Sequence, residues 1–357
     1  RKLLRSRNEL DSVLSREFAF LLNNWLFLWL ALFVAFATIF PSLTQLEWFR
    51  DMWNAGVRLP GIGKLFAIFS GGEITGRVTI GTPFFNRWMT PFGLALLFLT
   101  GVGPLVAWRK TSAESLKQQF MWPLVGGGVA LVLSAFAIPL VRVTPTVEVL
   151  SAGGLACFAL CAFTATTVVQ EFVRGVAVRR KARPQSVIDA LIGLVTRARR
   201  RYGGYIVHLG IVLMFFGWAG NSYKIEIKRG IYPGDVVELG DYEIRYDGAR
   251  ATQDWQKDML TVELTAFKDG GEHGSLTPAK WWYYQSPEEP TTEVSRVMTV
   301  GGDVYASIAD VDMTTGWARV NLYYNPLVNW VWVGFAVMLM GGLVCIGAKK
   351  EEAEGGG

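Results

Sequence analysis

Gly203-Gly-Tyr-Ile-Val-His-Leu-Gly-Ile-Val-Leu-Met-Phe-Phe-Gly-Trp-Ala-Gly220 is an apolar run that carries a single imidazole, His208. It follows a basic cluster, Arg197, Arg199, Arg200 and Arg201, and it leads into a stretch of alternating apolar and polar residues. A membrane helix needs about 20 mostly apolar residues, so this run reads as a short span. Gly203, Gly210 and Gly217 recur every seven residues, which places small residues on one face for close helix packing.

The chain beyond it, Asn221 to Asn325, reads as β. Val236 to Leu239 and Tyr242 to Tyr246 alternate around Gly240-Asp241. Leu260-Thr-Val-Glu-Leu-Thr-Ala-Phe267 alternates and stops at Asp269-Gly-Gly271, and Asp303 to Ile308 and Trp317 to Tyr323 continue the pattern. The expectation is a small antiparallel barrel or sandwich held between two helices. Further apolar runs occur at residues 18–40, 91–108, 122–140, 150–172 and 326–347. The fold class is therefore an α-helical polytopic membrane protein with about six spans, 18–40, 91–108, 122–140, 150–172, 203–220 and 326–347. Its β domain, 221–325, lies between the last two spans. The loop 41–90 has mixed character. Residues 1–17 and the stretch around Val187, Ile188, Leu191 and Leu194 read as interfacial amphipathic segments.

Lys and Arg set the orientation. Arg1, Lys2, Arg5, Arg7 and Arg16 precede the first span, and Arg109, Lys110 and Lys117 follow the second. Arg174 to Arg201 separates the fourth from the fifth, and Lys349 and Lys350 follow the sixth. Alternating spans put every cluster on the cytoplasmic side. Both termini, including the tail 348–357, are then cytoplasmic, and 41–90 and 221–325 are periplasmic. The net charge of +5 thus belongs to the membrane topology rather than to a nucleic-acid surface. The 51% hydrophobic content and the 14 Trp and 22 Phe agree with membrane spans and interface belts.

The chain has two histidines. An ionisable group at the depth of His208 is costly and is a functional candidate. With no other ligand type near it, tetrahedral zinc is disfavoured, whereas heme iron takes one axial ligand from each of two helices. Gly204, one turn earlier on the same face, would leave room for a porphyrin edge. A neutral His making an interhelical hydrogen bond is the competing reading. His273, in Gly270-Gly-Glu-His-Gly274, reads as an exposed turn residue. Trp281-Trp-Tyr-Tyr284 reads as a strand, and Glu171 as a charge at a span end, where it is cheap. Cys157 and Cys161, one helical turn apart, read as buried thiols. No phosphate loop, catalytic triad or zinc motif is present.

Several segments together resemble a known family. Leu10-Asp-Ser12, Ser15 to Asn24, Gly81-Thr-Pro-Phe-Phe-Asn86, Gly101-Val-Gly-Pro-Leu105, Gly203-Gly204 with His208-Leu-Gly210, Leu276-Thr-Pro278, Thr292-Glu293, Asp303-Val-Tyr305 and Asn325 to Trp332 are similar to CcmF. CcmF is a heme-handling protein with a tryptophan-rich WWD motif, found in the bacterial inner membrane. The resemblance implies cytochrome c maturation, with heme accepted from a CcmE-type chaperone and attached to apocytochrome c together with a CcmH-type subunit. It implies a membrane heme b, reduced by quinol, with His208 as one axial ligand to the heme iron and Gly204 beside it. That activity would be a heme lyase subunit with a quinol-to-heme oxidoreductase role. The WWD segment and the partner histidines are not in this sequence, so the chain is expected to be a C-terminal part, whether split subunit or truncated piece. The alternative is a polytopic transporter that uses His208 as a proton relay.

Overall fold

A computed structural model describes residues 15–106, 113–137 and 152–347. The expected amphipathic stripe before Ser15, the basic residues Arg109, Lys110 and Arg142, and the tail from residue 348 lie outside the described residues. The chain divides into two compact units, Arg1–Phe120 and Met121–Gly357.

In the first unit, helix α1 (Arg16–Leu43) starts at Ser15, whose hydroxyl accepts from the Phe18 amide at 3.1 Å. The mixed loop resolves into α2 (Glu47–Val57) and α3 (Gly63–Ser70). They close over an aromatic cluster of Phe40, Phe49 and Trp53 with Ile74. Helix α4 (Thr82–Val102) begins inside the expected loop, because Gly81-Thr-Pro provides an N-terminal start with Pro in the first turn. Trp29 of α1 stacks on Phe92 of α4 with centroids 4.0 Å apart. Arg16 donates to the carbonyls of Gly103 and Pro104 at 3.0 and 3.1 Å. A residue of the basic N-terminal cluster therefore also satisfies the negative end of a helix.

Helix α5 (Ala113–Ala137) crosses the unit boundary. The second unit continues with α6 (Ala152–Ala182), α7 (Val187–Arg197), α8 (Arg199–Ala219) and α9 (Asn329–Ile346). Among the described residues, five helices are long and apolar enough to cross a membrane: α1, α5, α6, α8 and α9. The second expected span, at residues 91–108, is not among these five. Its helix, α4, carries Asn86, Arg87 and Pro91 among the aromatic residues of its first half, which lowers the mean hydropathy of the helix. The expected span at 150–172 is longer, since Arg179 to Lys181 continue the helix with basic residues at its negative end. Helix α7 covers the second amphipathic segment; Ser186 caps it, accepting from the Asp189 amide at 3.0 Å.

Between α8 and α9 stands an antiparallel β-sandwich. One sheet has the order β1 (Ile225–Ile231), β10 (Ala318–Pro326), β9 (Gly302–Val311), β8 (Ser295–Thr299). The other has β2 (Val236–Leu239), β3 (Tyr242–Gln253), β4 (Lys257–Lys268), β6 (Ala279–Tyr283) and β7 (Thr291–Glu293), with β5 (Gly271–Leu276) also on β4. Period-two alternation sends Ile244, Tyr246, Val262 and Leu264 inward to meet Val304, Ile308, Val320 and Leu322. Each such aliphatic side chain contributes about 1.5–3 kcal/mol by burial. Asp269 and Gly270 both take positive φ, 52° and 77°, which is the two-residue turn geometry that matches strand twist. His273 is therefore not in a turn, as its glycine neighbours imply, but on β5, where its ring meets Tyr242 at 5.4 Å.

The sandwich is tied to both helices at one end, because β1 pairs with β10 from Ile225 opposite Tyr324. There Asn329 donates to the carbonyls of Thr299 and Gly302 at 2.6 and 3.0 Å, and Asn325 donates to Asp303 at 2.9 Å. Leu327 adopts φ 62° and its amide donates to Gly301 at 2.7 Å. That strained residue turns the strand into the helix.

Candidate functional site

Helix α8 is fixed by two neighbours. On one side the heptad glycines meet α9, as their spacing predicts. A Cβ on Gly210 would stand 2.6 Å from the Gly334 carbonyl, and one on Gly203 3.0 Å from the Gly341 carbonyl. The arrangement is reciprocal, since a Cβ on Gly341 would stand 2.6 Å from the Val207 amide nitrogen. Gly217 faces Val331 in the same way. Backbones this close exclude any side chain and gain dispersion along the whole contact.

On the other side α8 meets α6. The thiols of Cys161 and Cys157 are buried and point at the carbonyls of Val212 and Phe215, at 3.6 and 3.5 Å. Nearer the basic end, Glu171 is 5% exposed. Its carboxylate accepts from Arg201 at 2.6 Å and from the Tyr205 hydroxyl at 2.9 Å, with Arg174 at 3.5 Å. Arg201 also donates to the Tyr205 oxygen at 3.2 Å. The expectation that Glu171 is a cheap terminal charge is therefore corrected: it is the buried centre of an interhelical cluster. The sequence signal was weak, because Arg201 and Tyr205 read as the end of a basic run and the start of a span.

His208 lies one turn beyond Tyr205, with ring centroids 6.5 Å apart. It is half-buried, and its Nδ1 is buried with no hydrogen-bond partner among the described residues. The expected alternative, an interhelical hydrogen bond, is not made at that atom. A buried ring nitrogen left unpaired is costly. Gly204 occupies the same side of α8 one turn earlier, and a Cβ there would meet nothing within 4 Å. The surface that His208 and Gly204 share is thus open beside Gly204, in contrast to the glycine face against α9. The remaining histidine, His273, belongs to the sandwich and cannot join His208. No cluster of three or more His, Cys, Asp or Glu suited to a metal occurs among the described residues. These residues fit a group that takes one axial nitrogen from α8 and its other ligand from elsewhere. Trp281 and Trp282 are strand residues of β6, and Lys257 lies 4.6 Å over the Trp281 ring.

Residues 222–326 match the family model described as the CcmF C-terminal beta-sandwich. The cytochrome c-type biogenesis protein CcmF of Haemophilus influenzae is 26% identical over 96% of this chain and 46% of its own length. The chain is related to the C-terminal part of CcmF. The cytochrome c-type biogenesis protein ccl1 of Rhodobacter capsulatus is 27% identical over 97% of the chain and 46% of its own length. A solved structure of the cytochrome c heme lyase CcmF shares the fold with a TM-score of 0.67 at 22% identity, over 94% of this chain and 46% of that one. The chain thus spans about half the length of the CcmF proteins it matches. Several segments that carried the CcmF resemblance prove to be architectural. Asn329 clamps α9 onto the sandwich, Asn325 of β10 ties to Asp303 of β9, and the Pro278 carbonyl accepts from the Val262 amide at 2.9 Å.

Proposed function

We propose that this chain is the C-terminal part of a cytochrome c maturation subunit, in which His208 supplies one axial ligand to a membrane heme b. The observation that carries the reading is the unpaired His208 nitrogen on a CcmF-like helix whose adjoining turn, at Gly204, is open. The heme iron, when bound, would supply one-electron chemistry. The chain's own residues orient and shield. The glycine contact with α9 and the Glu171–Arg201–Tyr205 cluster fix the rotation and height of α8, and therefore the direction of the imidazole. Gly204 leaves clearance for a porphyrin edge. The second ligand, the WWD segment and the attachment site would come from an N-terminal half. A CcmE-type heme chaperone, a CcmH-type subunit, apocytochrome c and quinol would be the partners. No observation favours the alternative of a transporter with a proton relay at His208.

Coexpression with an N-terminal CcmF half that carries a membrane histidine tests the reading. The complex is expected to show a low-spin b-type spectrum. His208→Ala is expected to make it high-spin or abolish it, while His273→Ala leaves it unchanged. A normal low-spin spectrum in His208→Ala would make His208 a packing residue.

We further propose a bacterial inner-membrane topology with a periplasmic sandwich and cytoplasmic termini. Helix α8 supports it, because its 21 residues span about 30 Å, a hydrocarbon core's thickness, between Arg199 and the sandwich. Alkaline phosphatase fused after Asp269 should be active, and after Arg183 inactive. The opposite pattern would invert the orientation.

A further inference from the structure

A groove of about 980 Å³ runs between α6, α7 and α8 at their basic end. Its walls are apolar: Phe172, Val173 and Val176 of α6, Leu191 of α7 and Leu209 of α8. Its polar end holds Arg180, Lys181 and Gln185, and no carboxylate lines it among the described residues. The Gln185 Nε2 is buried without a hydrogen-bond partner among the described residues. Arg180 uses only its Nε, donating to the Gln185 carbonyl at 3.2 Å, and Lys181 forms no ion pair among the described residues. Val173 is 61% exposed, so the groove opens on the side where a membrane span meets lipid.

These features belong to one ligand chemistry. Long apolar walls match acyl chains, which gain by leaving water and by filling a void between helices. Two cations with free donors and an unsatisfied amide match phosphate oxygens, which accept several charge-assisted hydrogen bonds. A purely apolar protein helix packed here would cover the walls but leave the cations and the amide unanswered. We infer that this groove is a binding site for a single phospholipid with an anionic headgroup, its phosphate held by Arg180, Lys181 and Gln185 and its acyl chains lying along α6 and α7. The site is separate from His208 and does not depend on the heme assignment.

Native mass spectrometry of the full chain in mild detergent tests it, with phosphatidylglycerol and phosphatidylcholine added in turn. One phosphatidylglycerol per chain is expected to bind about tenfold or more tightly than phosphatidylcholine, since each basic side chain near an anionic headgroup contributes about a factor of five. Arg180→Gln with Lys181→Gln should erase that preference without removing residual phosphatidylcholine binding. Val173→Trp, which fills the walls and leaves the cations in place, should weaken both lipids. Equal affinity for the two lipids, or an unchanged preference in the double variant, would overturn the assignment. Inorganic phosphate binding as tightly as phosphatidylglycerol would make this a free-anion site. Retention of a neutral quinone in place of phospholipid would overturn the anionic headgroup.

Discussion

Gly210→Leu is expected to separate α8 from α9 and to destabilise the helical unit by at least about 3 kcal/mol, the upper range for overpacking. A new Cβ would meet the Met338 amide and the Gly334 carbonyl at 2.5 and 2.6 Å, and both are backbone atoms of a helix. No rotamer change can relieve such a contact, so the helices must move apart. That sacrifices the reciprocal packing at Gly203, Gly217, Gly334 and Gly341 together. Thermal unfolding in detergent, followed by protease resistance of the α8–α9 pair, measures the loss. Gly204→Leu is the control. Nothing lies within 4 Å of its Cβ position, so its stability should change by less than about 0.5 kcal/mol. Under the heme proposal, that variant should nevertheless hinder heme uptake, because the new side chain occupies the porphyrin's clearance. Equal destabilisation by the two substitutions would refute the packing account of the heptad glycines.

The cluster around Glu171 gives the second large effect, and it is asymmetric. The Glu171 side chain is 6% exposed and that of Arg201 is 59% exposed. Removing the arginine leaves a buried carboxylate with only Tyr205 and the more distant Arg174, so Arg201→Ala should cost about 3 kcal/mol, the low end for a broken buried pair. Removing the carboxylate's charge is milder. In Glu171→Gln the amide oxygen still accepts from Tyr205 and the guanidinium can turn to water, so the loss should stay near 1 kcal/mol, the scale of one hydrogen bond. Equilibrium unfolding of both variants decides it, and a larger loss in Glu171→Gln than in Arg201→Ala would contradict this burial order.

Much of the architecture follows from local pattern. Apolar length marked the runs that became α1, α5, α6, α8 and α9, because lipid and a packed helix both require the same uninterrupted apolar surface. Period-two alternation at Leu260 to Phe267 fixed which side chains of β4 point inward. The heptad of glycines announced a close helix contact before its partner was known. His208 stood out because imidazole is rare and costly inside an apolar run.

Tertiary structure decided what local pattern cannot encode. It paired the glycine face of α8 with α9, across the whole intervening sandwich, because that choice depends on a second helix with matching gaps at Gly334 and Gly341. It made β5 a strand through Gly271 to Leu276 and placed His273 on it, since pairing with β4 outweighs the turn propensity of three glycines. It turned Glu171 from a span-end charge into a buried anchor, because the burial of a charge is set by what packs over it. Side-chain type and spacing determine which face an element must hide; the partner that covers that face is settled only when distant segments of the chain compete for it.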